Sequence, residues 1–411
     1  MKQLHLVLFA LLFSSSLHAQ TFSELLEKGK QSVKTARDSY AKSDGFAEGT
    51  DYLERAVKLN PNSQEAHYFL GSAYDYTNNS DASQIIYTHL PLTIKASKEF
   101  EKVIAISRTY KGDIIALDPY AKISSIWACQ ALCYLYHHQH DSAKWAFREG
   151  KKRGGFSEFC LAYHREIFRH MGPNSIIFTY GDNSTMCKWY LQEMENLRPD
   201  VTVINTEMLQ LPWYAQYIGS NASAIYSSPA IATDTAEYSV WKDTTIQVPI
   251  RNTGEYFSWT VKPTQNDAYI LRSDKIIIDI VQHNAFNNKI YFEKGLRGQM
   301  LGLDKYVADH FSYEELQATE AEIGQDFYDA IDTFPFAILK DVNSNSNEDI
   351  FYVHNLRYGL ISAIYHRSQD DQPAAAKALY QKMLREIPPK KYPYETRDVQ
   401  DYVDKLAETL K

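Results

Sequence analysis

The residues best placed to do chemistry in this sequence form a short polar run, Gly181-Asp182-Asn183-Ser184-Thr185, directly after the apolar segment Ser175–Tyr180. A carboxylate at Asp182 could ligate a hydrated cation. The free N–H groups of a helix starting after Asn183 could instead hold an anion. The same residue types are also ordinary turn and helix-capping residues, so a purely structural role stays open.

A second apolar segment, Val201–Asn205, ends in an amide and leads to two adjacent aromatic residues. Aromatic faces at Trp213 and Tyr214 could frame a pocket the size of a sugar by stacking. Packing of the intervening helix is the better explanation for Trp189. The predicted ligand-binding residues are Asp182, Asn183, Thr185, Asn205, Trp213 and Tyr214.

Recognisable catalytic signatures are missing from this sequence. It contains no GxSxG, no HExxH, no GxGxxG and no phosphate-binding loop ending in Gly-Lys-Ser/Thr. Adjacent histidines leave a helix in different directions, and His164 and His170 are six residues apart, so no metal ligand set is predicted. No cofactor is expected, and catalytic residues cannot be assigned.

The four cysteines are too few for a disulfide framework in a chain of 411 residues. Cys129 and Cys133 are four apart on a predicted helix, which favours buried thiols, with a bridge to Cys160 as the alternative. No CxxC spacing points to a metal site. The disulfide states of these three cysteines and of Cys187 stay open.

The elements around the polar run indicate a β-α-β unit. Strands at 175–180 and 201–205 flank an amphipathic helix at 186–197, which makes a parallel sheet the default. Ligands of such sheets bind beyond the carboxyl ends of the strands, where Asp182 and Asn205 would lie. Alternating residues at 245–250 predict strands or an edge hairpin, whereas 276–281 fits either a strand or a helix.

Helices are predicted on both sides of this unit. Small and aromatic residues recur at helical-hairpin spacing, as at His67, Gly71 and Tyr74, and this resembles the tetratricopeptide repeat despite a long connection at 75–95. Such repeats present grooves that bind proteins, and Tyr68 and Tyr74 are the predicted partner contacts. A helical cap that only packs on the next domain is the alternative.

The C-terminal third is also predicted to be helical. A helical stretch opens at 311–315, and a hairpin from Arg357 turns at 369–373. The predicted organisation is a signal peptide (1–19), tetratricopeptide-like helices (20–170), an α/β domain (171–305) and a helical region (306–411). The fold class is therefore α+α/β: helical hairpins, a small parallel α/β domain with a β-α-β start, and a C-terminal helical hairpin.

Charge and hydropathy limit the possible partners and location. The formal net charge of −8 argues against nonspecific electrostatic binding to nucleic acid or to anionic membranes. Lys2 and the apolar run Leu6–Phe13 form a typical signal peptide, too short to span a bilayer. We therefore expect an exported protein, periplasmic or secreted, without stable membrane insertion.

One family resemblance covers about 170–411. Phe178–Thr185, Trp189–Glu193, Arg198–Val201 and Pro212–Tyr214 look like the soluble region that follows the membrane half of bacterial relatives of the plexin-type protein O-mannosyltransferases. Glycosyl transfer in that family belongs to the membrane half, which this chain lacks. The resemblance implies an exported, non-catalytic accessory or scaffold module of an envelope glycan system, with repeats that bind a protein. The alternative is an enzyme that acts on a glycan or phosphorylated carrier through Asp182.

Overall fold

The computed structural model describes residues 20–40, 42–222, 225–251, 253–296 and 300–410, apart from the side chains of Ser43 and Asn183. The predicted signal peptide, 1–19, lies outside the described residues. Within these ranges the chain has helices at both ends and a five-stranded mixed sheet between them, which confirms the predicted α+α/β class. None of the described helices is long and apolar enough to cross a membrane.

The N-terminal region consists of consecutive helices that pack as antiparallel hairpins. Small residues allow close crossings: a Cβ added at Gly150 would lie 2.7 Å from Cβ of Trp127, and one at Gly71 would lie 3.1 Å from the Phe100 ring. A side chain at Gly150 would therefore force its neighbours to move, and one at Gly71 would press on the Phe100 ring. The helices are α1 (Phe22–Asp38), α2 (Ala47–Leu59), α3 (Gln64–Asn78), α4 (Leu90–Ile106), α5 (Pro119–Tyr136), α6 (His140–Lys152) and α7 (Glu158–His170).

Both predicted partner-contact tyrosines lie in the core of this helical region. Tyr68 is fully buried, and its hydroxyl donates to the carbonyl of Leu117 at 2.8 Å. Tyr74 is also buried, and its hydroxyl donates to Glu54 at 2.6 Å. Every residue of α3 from Ala66 to Tyr74 is buried, so this helix is covered on all sides. In this arrangement neither ring is available to a partner.

The sheet has the strand order β2-β1-β7-β9-β8. β1 pairs in parallel with both β2 and β7, so three parallel strands end at one edge, whereas β9 pairs antiparallel with β7 and β8. The predicted β-α-β unit is present as β1 (Ile176–Thr179), helix α8 (Asp182–Glu195) and β2 (Thr202–Asn205). The other sheet strands are β7 (Ile290–Glu293), β8 (Val307–Asp309) and β9 (Tyr313–Leu316).

The segment between β2 and β7 contains three further α-helices and two small antiparallel pairs. The predicted edge hairpin is β4 with β5, and residues 276–281, which the sequence left open, are helical. The elements are α9 (Pro212–Asn221), α10 (Pro229–Thr233), β3 (Tyr238–Val240), β4 (Thr244–Pro249), β5 (Tyr256–Val261), β6 (Tyr269–Leu271) and α11 (Arg272–Asn284).

The predicted helical start at 311–315 is wrong, because this segment forms strand β9. Pairing with two neighbouring strands overrides the local helical preference. The sheet therefore continues past residue 305. The predicted C-terminal hairpin is present, turning at 369–373. The helices are α12 (Gln325–Thr333), α13 (Asn347–Gln369), α14 (Pro373–Glu386) and α15 (Arg397–Thr409).

Hydrogen bonds connect the helical ends of the molecule near the parallel strand edge. The Asp118 carboxylate, which caps α5, also accepts from the backbone N–H of Asn347 at 2.9 Å. Ser157, which caps α7, donates its hydroxyl to Asp349 at 2.5 Å. The first turn of α13 is thereby fixed against the N-terminal helices, and buried apolar residues from all three regions form one continuous core.

Candidate functional site

The carboxyl ends of β1 and β7 form one wall of a cavity of about 430 Å³, which we call the acidic cleft. Because the two strands are parallel neighbours, the residues that follow them meet at one edge. The starts of α5 and α13 close the opposite side. The polar residues that define the cleft are Asp118, Tyr180, Asp182, Glu293, Lys294, Glu348 and Tyr352.

Asp182 is the first residue of α8 and projects into the acidic cleft. It follows Gly181, whose φ of 75° and ψ of 170° suit glycine. The Asp182 carboxylate accepts from the Ser125 hydroxyl at 3.1 Å and does not cap its own helix. The Asp182 residue is exposed within the cleft, but the surrounding protein desolvates its carboxyl group and raises its pKa. The hydrogen bond from Ser125 offsets part of this rise.

The pKa values of other carboxyls, Asp118 and Glu348 at the cleft and Asp349 behind it, are also raised. Burial, then the neighbouring Asp349 charge, raises the pKa of Glu348 well above its ordinary value. Burial raises the pKa of Asp349 to about 6, although the hydrogen bonds from Ser157 and Asn343 lower it in part. Burial also raises the pKa of Asp118. The raised pKa values favour protonation of these carboxyls, and a carboxyl group donates a hydrogen bond when protonated and accepts hydrogen bonds when ionised.

A buried polar network lies behind the acidic cleft. Lys188, fully buried, lies 3.0 Å from Oε2 of Glu293 and 2.9 Å from Nδ1 of His164. Burial, then the Lys188 charge, lowers the pKa of His164, so the ring is neutral. Glu293 is only 3% exposed, and neither of its oxygens accepts a hydrogen bond from the described residues. Its carboxylate, held by an ion pair alone, thus retains acceptor capacity at the cleft wall.

The same network brings together three side chains of metal-ligand type. The ligand atoms of Cys160, His164 and Cys187 lie within 4.8 Å of one another, and all three residues are buried. Both ring nitrogens of His164 are already engaged, Nδ1 by Lys188 and Nε2 by the Tyr352 hydroxyl at 3.1 Å. The trio could hold a soft divalent ion such as zinc only if Lys188 withdrew.

The cysteines are all free and buried. This agrees with the prediction for Cys129 and Cys133 and removes the alternative bridge to Cys160. The sulfur next to Cys160 is that of Cys187, at 3.0 Å. Burial raises the pKa of each thiol, which keeps them protonated.

Thr185 and Asn205 support the strand edge from behind. The Asn205 side-chain amide donates to Oγ1 of Thr185 at 2.9 Å and to the carbonyl of Gly181 at 3.1 Å. Thr185 in turn bonds to Thr179 at 2.7 Å. Both residues are buried and position the Gly181 turn without lining the cleft. The side chain of Asn183 lies outside the described part of the chain.

Trp213 and Tyr214 lie away from the cleft. Tyr214 is fully buried, and its hydroxyl accepts from the backbone N–H of Asn205 at 3.0 Å. Half-buried Trp213 packs edge-on against Tyr136, with ring centroids 5.7 Å apart. The two rings therefore pack α9 against the neighbouring helices, and the exposed rings at the cleft belong instead to Tyr180 and Phe351.

A second, larger cavity of about 620 Å³ adjoins the same strand edge, and we call it the threonine cavity. Its polar lining comes mainly from residues after β2, after β5 and at the start of α11. Tyr180 lines both cavities. These lining residues are Thr206, Glu207, Thr260, Lys262, Thr264, Gln265, Ser273 and Asp274.

Sequence reasoning identified Asp182 as an edge residue but missed Asp118, Glu293 and Glu348. The three come from segments far apart in the chain, so no local motif joins them. Glu293 had a signal similar to that of Asp182, since it directly follows the apolar run 290–292. Asp118 and Glu348 had only the signals of helix starts, which are too common to mark a site.

One family model matches the segment of the chain that forms the parallel strand edge. Residues 160–266, from within α7 to beyond β5, match the family model described as TMEM260-associated domain 2. TMEM260 is a protein related to protein O-mannosyltransferases. No curated protein and no solved structure matches this chain. The segment that carries β1, α8, β2 and Asp182 is thus similar to a domain associated with TMEM260.

Proposed function

We propose that this protein binds a neutral, hydroxyl-rich ligand, a glycan, in the acidic cleft. The observation that carries the proposal is the Glu293 carboxylate, buried at the cleft wall with both oxygens free of hydrogen bonds from the described residues. The Lys188 ammonium group, 3.0 Å away, balances the charge of this carboxylate, and the remaining lone pairs can accept hydrogen bonds from a ligand. Sugar hydroxyls are donors of the required kind.

The rest of the cleft suits the same ligand class. Carboxyls with raised pKa values can donate to or accept from hydroxyl groups. Phe351 and Tyr180 are 49% and 43% exposed and offer ring faces for the apolar faces of sugar rings. The cavity volume of about 430 Å³ falls in the range of small-molecule sites.

In this proposal the protein is an exported accessory module of an envelope glycan or glycosylation system and does not catalyse a reaction. The match to TMEM260-associated domain 2 supports the glycosylation context. The N-terminal hairpins, which resemble tetratricopeptide repeats, would hold a protein partner. Since Tyr68 and Tyr74 are buried, the contacts would come from other side chains of these helices.

An enzyme acting on a glycan or phosphorylated carrier is the second candidate. The observation in its favour is Asp349, whose pKa of about 6 is typical of carboxyls tuned for proton transfer. However, Asp349 does not line the cleft, and the Asp118, Asp182 and Glu348 carboxyls there would repel a phosphate. Binding of a neutral glycan is therefore the better-supported function.

The test is isothermal titration of the purified protein with neutral oligosaccharides and with phosphorylated sugars, alongside Asp182→Asn. We expect neutral oligosaccharides to bind and the variant to weaken binding by about tenfold, the loss of one hydrogen bond to a charged group. Asp398→Asn, the same change in the first turn of α15, is the matched control and should bind normally. Binding of phosphorylated sugars alone would refute the proposal, and release of a shortened glycan would favour the enzyme.

A further inference from the structure

Tyr180 stands where the acidic cleft and the threonine cavity adjoin, and it lines both. We infer that the two cavities form one extended site, and that the ligand is an oligosaccharide that crosses the Tyr180 ring with sugar units on both sides. This inference rests on the proposed function, because it assumes that the acidic cleft binds a neutral glycan. It adds the length of the ligand and a second binding region.

The backbone around Tyr180 joins the two cavities rigidly. The N–H of Gly181 donates to Oε2 of Glu207 at 3.2 Å, which links the end of β1 to the end of β2. Thr206, beside Glu207, donates both its N–H and its hydroxyl to the carbonyl of Thr179, at 3.0 and 3.1 Å. These hydrogen bonds fix the turn from which the Tyr180 side chain projects. The residue is 43% exposed, so its ring is accessible from the cavities.

The threonine cavity has the chemistry of a sugar site rather than of an apolar pocket. Hydroxyl, amide and carboxyl groups line it, over an apolar patch that includes Ile277 and Leu301. The Asp274 carboxylate is oriented by the Thr264 hydroxyl at 2.6 Å and the backbone N–H of Leu271 at 3.2 Å. Oriented polar groups around an apolar surface match a ring that has hydroxyl edges and an apolar face.

The charges of both cavities favour a neutral ligand along the whole path. The threonine cavity adds Glu207 and Asp274 to the carboxyls of the acidic cleft. The cations among the described lining residues are Lys262 and Lys294, and Lys294 is already paired with Asp309. Sulfated or phosphorylated sugars would meet an excess of negative charge.

The size of the site argues for more than one sugar unit. The cavities of about 430 and 620 Å³ each fall in the range that encloses a whole small-molecule ligand. A single sugar in the acidic cleft would leave the larger cavity empty and cover one side of Tyr180 only. An oligosaccharide would contact both cavities, and its linked units would lose translational and rotational entropy in a single binding event.

The experiment measures affinity against ligand length, using neutral manno-, gluco- and galacto-oligosaccharides of one to six units. We expect affinity to rise as the chain lengthens past the first unit. Gln265→Ala, in the threonine cavity, should weaken the long oligosaccharides about tenfold and leave the shortest binder unchanged. Asp182→Asn should weaken all of them.

Tyr180→Ala should weaken every oligosaccharide that spans both cavities, whereas Tyr256→Ala, at an exposed tyrosine of β5, is the matched control. Thermal unfolding of each variant checks that it is folded. Affinity independent of length, together with normal binding by Gln265→Ala, would overturn the extended site and leave the acidic cleft as a site. Failure of every neutral oligosaccharide to bind the unmodified protein would overturn both proposals.

Discussion

The N-terminal helices and the strand edge both bury a lysine, but they satisfy it differently. Lys122 in α5 pairs with Asp75 at 2.8 Å and lies over the Tyr76 ring at 4.9 Å. Burial works against its charge, yet Asp75 raises the pKa of Lys122 overall. Lys188 at the strand edge pairs with Glu293, whose carboxylate accepts no hydrogen bond from the described residues and faces the acidic cleft.

This difference separates a structural ion pair from one that belongs to a site. In the helical region the polar groups satisfy one another, so burial only adds rigidity. At the strand edge the carboxylate is left under-satisfied next to an open cavity, which is the pattern expected where a ligand completes the network.

Removal of either buried lysine should destabilise the protein, but unequally. Lys188→Met leaves Glu293 uncompensated with a side chain only 4% exposed, so we expect a loss of about 4 kcal/mol in the free energy of unfolding. Lys122→Met should cost about half as much, because the Asp75 side chain is 14% exposed and keeps part of its hydration. Guanidinium unfolding at pH 7 measures both, with exposed Lys98→Met as the control. Equal losses would mean that the two pairs are equivalent.

The carboxyls of the two regions should respond to pH in opposite ways. The pKa of Asp349 rises to about 6 on folding, so the folded state binds the proton more tightly. Its contribution to stability is complete below about pH 4 and is lost as pH rises to about 6, by up to about 3 kcal/mol. Lys30 lowers the pKa of exposed Asp113 in the helical region, so that contribution is lost as pH falls.

Unfolding between pH 4 and 7 tests this prediction with Asp349→Asn, which should remove its part of the pH dependence. The stability difference between the unmodified protein and the variant should therefore change with pH. For Asp398→Asn, the exposed control, the same difference should stay constant. A constant difference for Asp349→Asn would place the pKa of this carboxyl near its ordinary value.

The two regions use glycine for different physical reasons. At Gly150 a Cβ would lie 2.7 Å from Trp127 and 2.8 Å from Phe156, so Gly150→Ala should cost about 2 kcal/mol and Gly150→Leu more. A Cβ added at Gly181 would have no heavy atom of another residue within 4 Å, but the backbone φ there is 75°, which strains any residue with a side chain. Gly181→Ala and Gly181→Leu should therefore cost a similar amount, about 1–2 kcal/mol of backbone strain.

Denaturant unfolding of these four variants measures the size dependence. Gly324→Ala is the control, since no heavy atom lies near an added Cβ there and the backbone φ is −94°. A loss at Gly181 that grows with side-chain size would mean that the turn is packed rather than strained.

Hydroxyl removal should distinguish a core tyrosine from a site tyrosine. Tyr68→Phe leaves the carbonyl of Leu117 without its buried donor and should cost about 1 kcal/mol. Tyr180→Phe, at an exposed position, should change stability by less than about 0.5 kcal/mol. Thermal unfolding of the two variants provides the measurement, and a larger loss for Tyr180→Phe would place that ring in the core.

Local patterns predicted the elements well where each pattern had one interpretation. The apolar runs before Asp182 and at 201–205 became β1 and β2, and the Gln369–Pro373 turn joins α13 to α14. The pattern failed at 311–315, where strand pairing decided the structure. The prediction also failed for Tyr68 and Tyr74, because a local pattern does not show that neighbouring elements cover α3 on all sides.

The sequence by itself determined the α+α/β class, the parallel β-α-β unit and Asp182 as an edge residue, since these follow from short-range periodicity and strand polarity. Only the tertiary structure decided which distant residues join Asp182. Asp118, Glu293 and Glu348 meet there because β7 pairs with β1 and the starts of α5 and α13 pack across that edge. Burial, a property of the packed chain, then raises the pKa values of Asp118, Asp182 and Glu348.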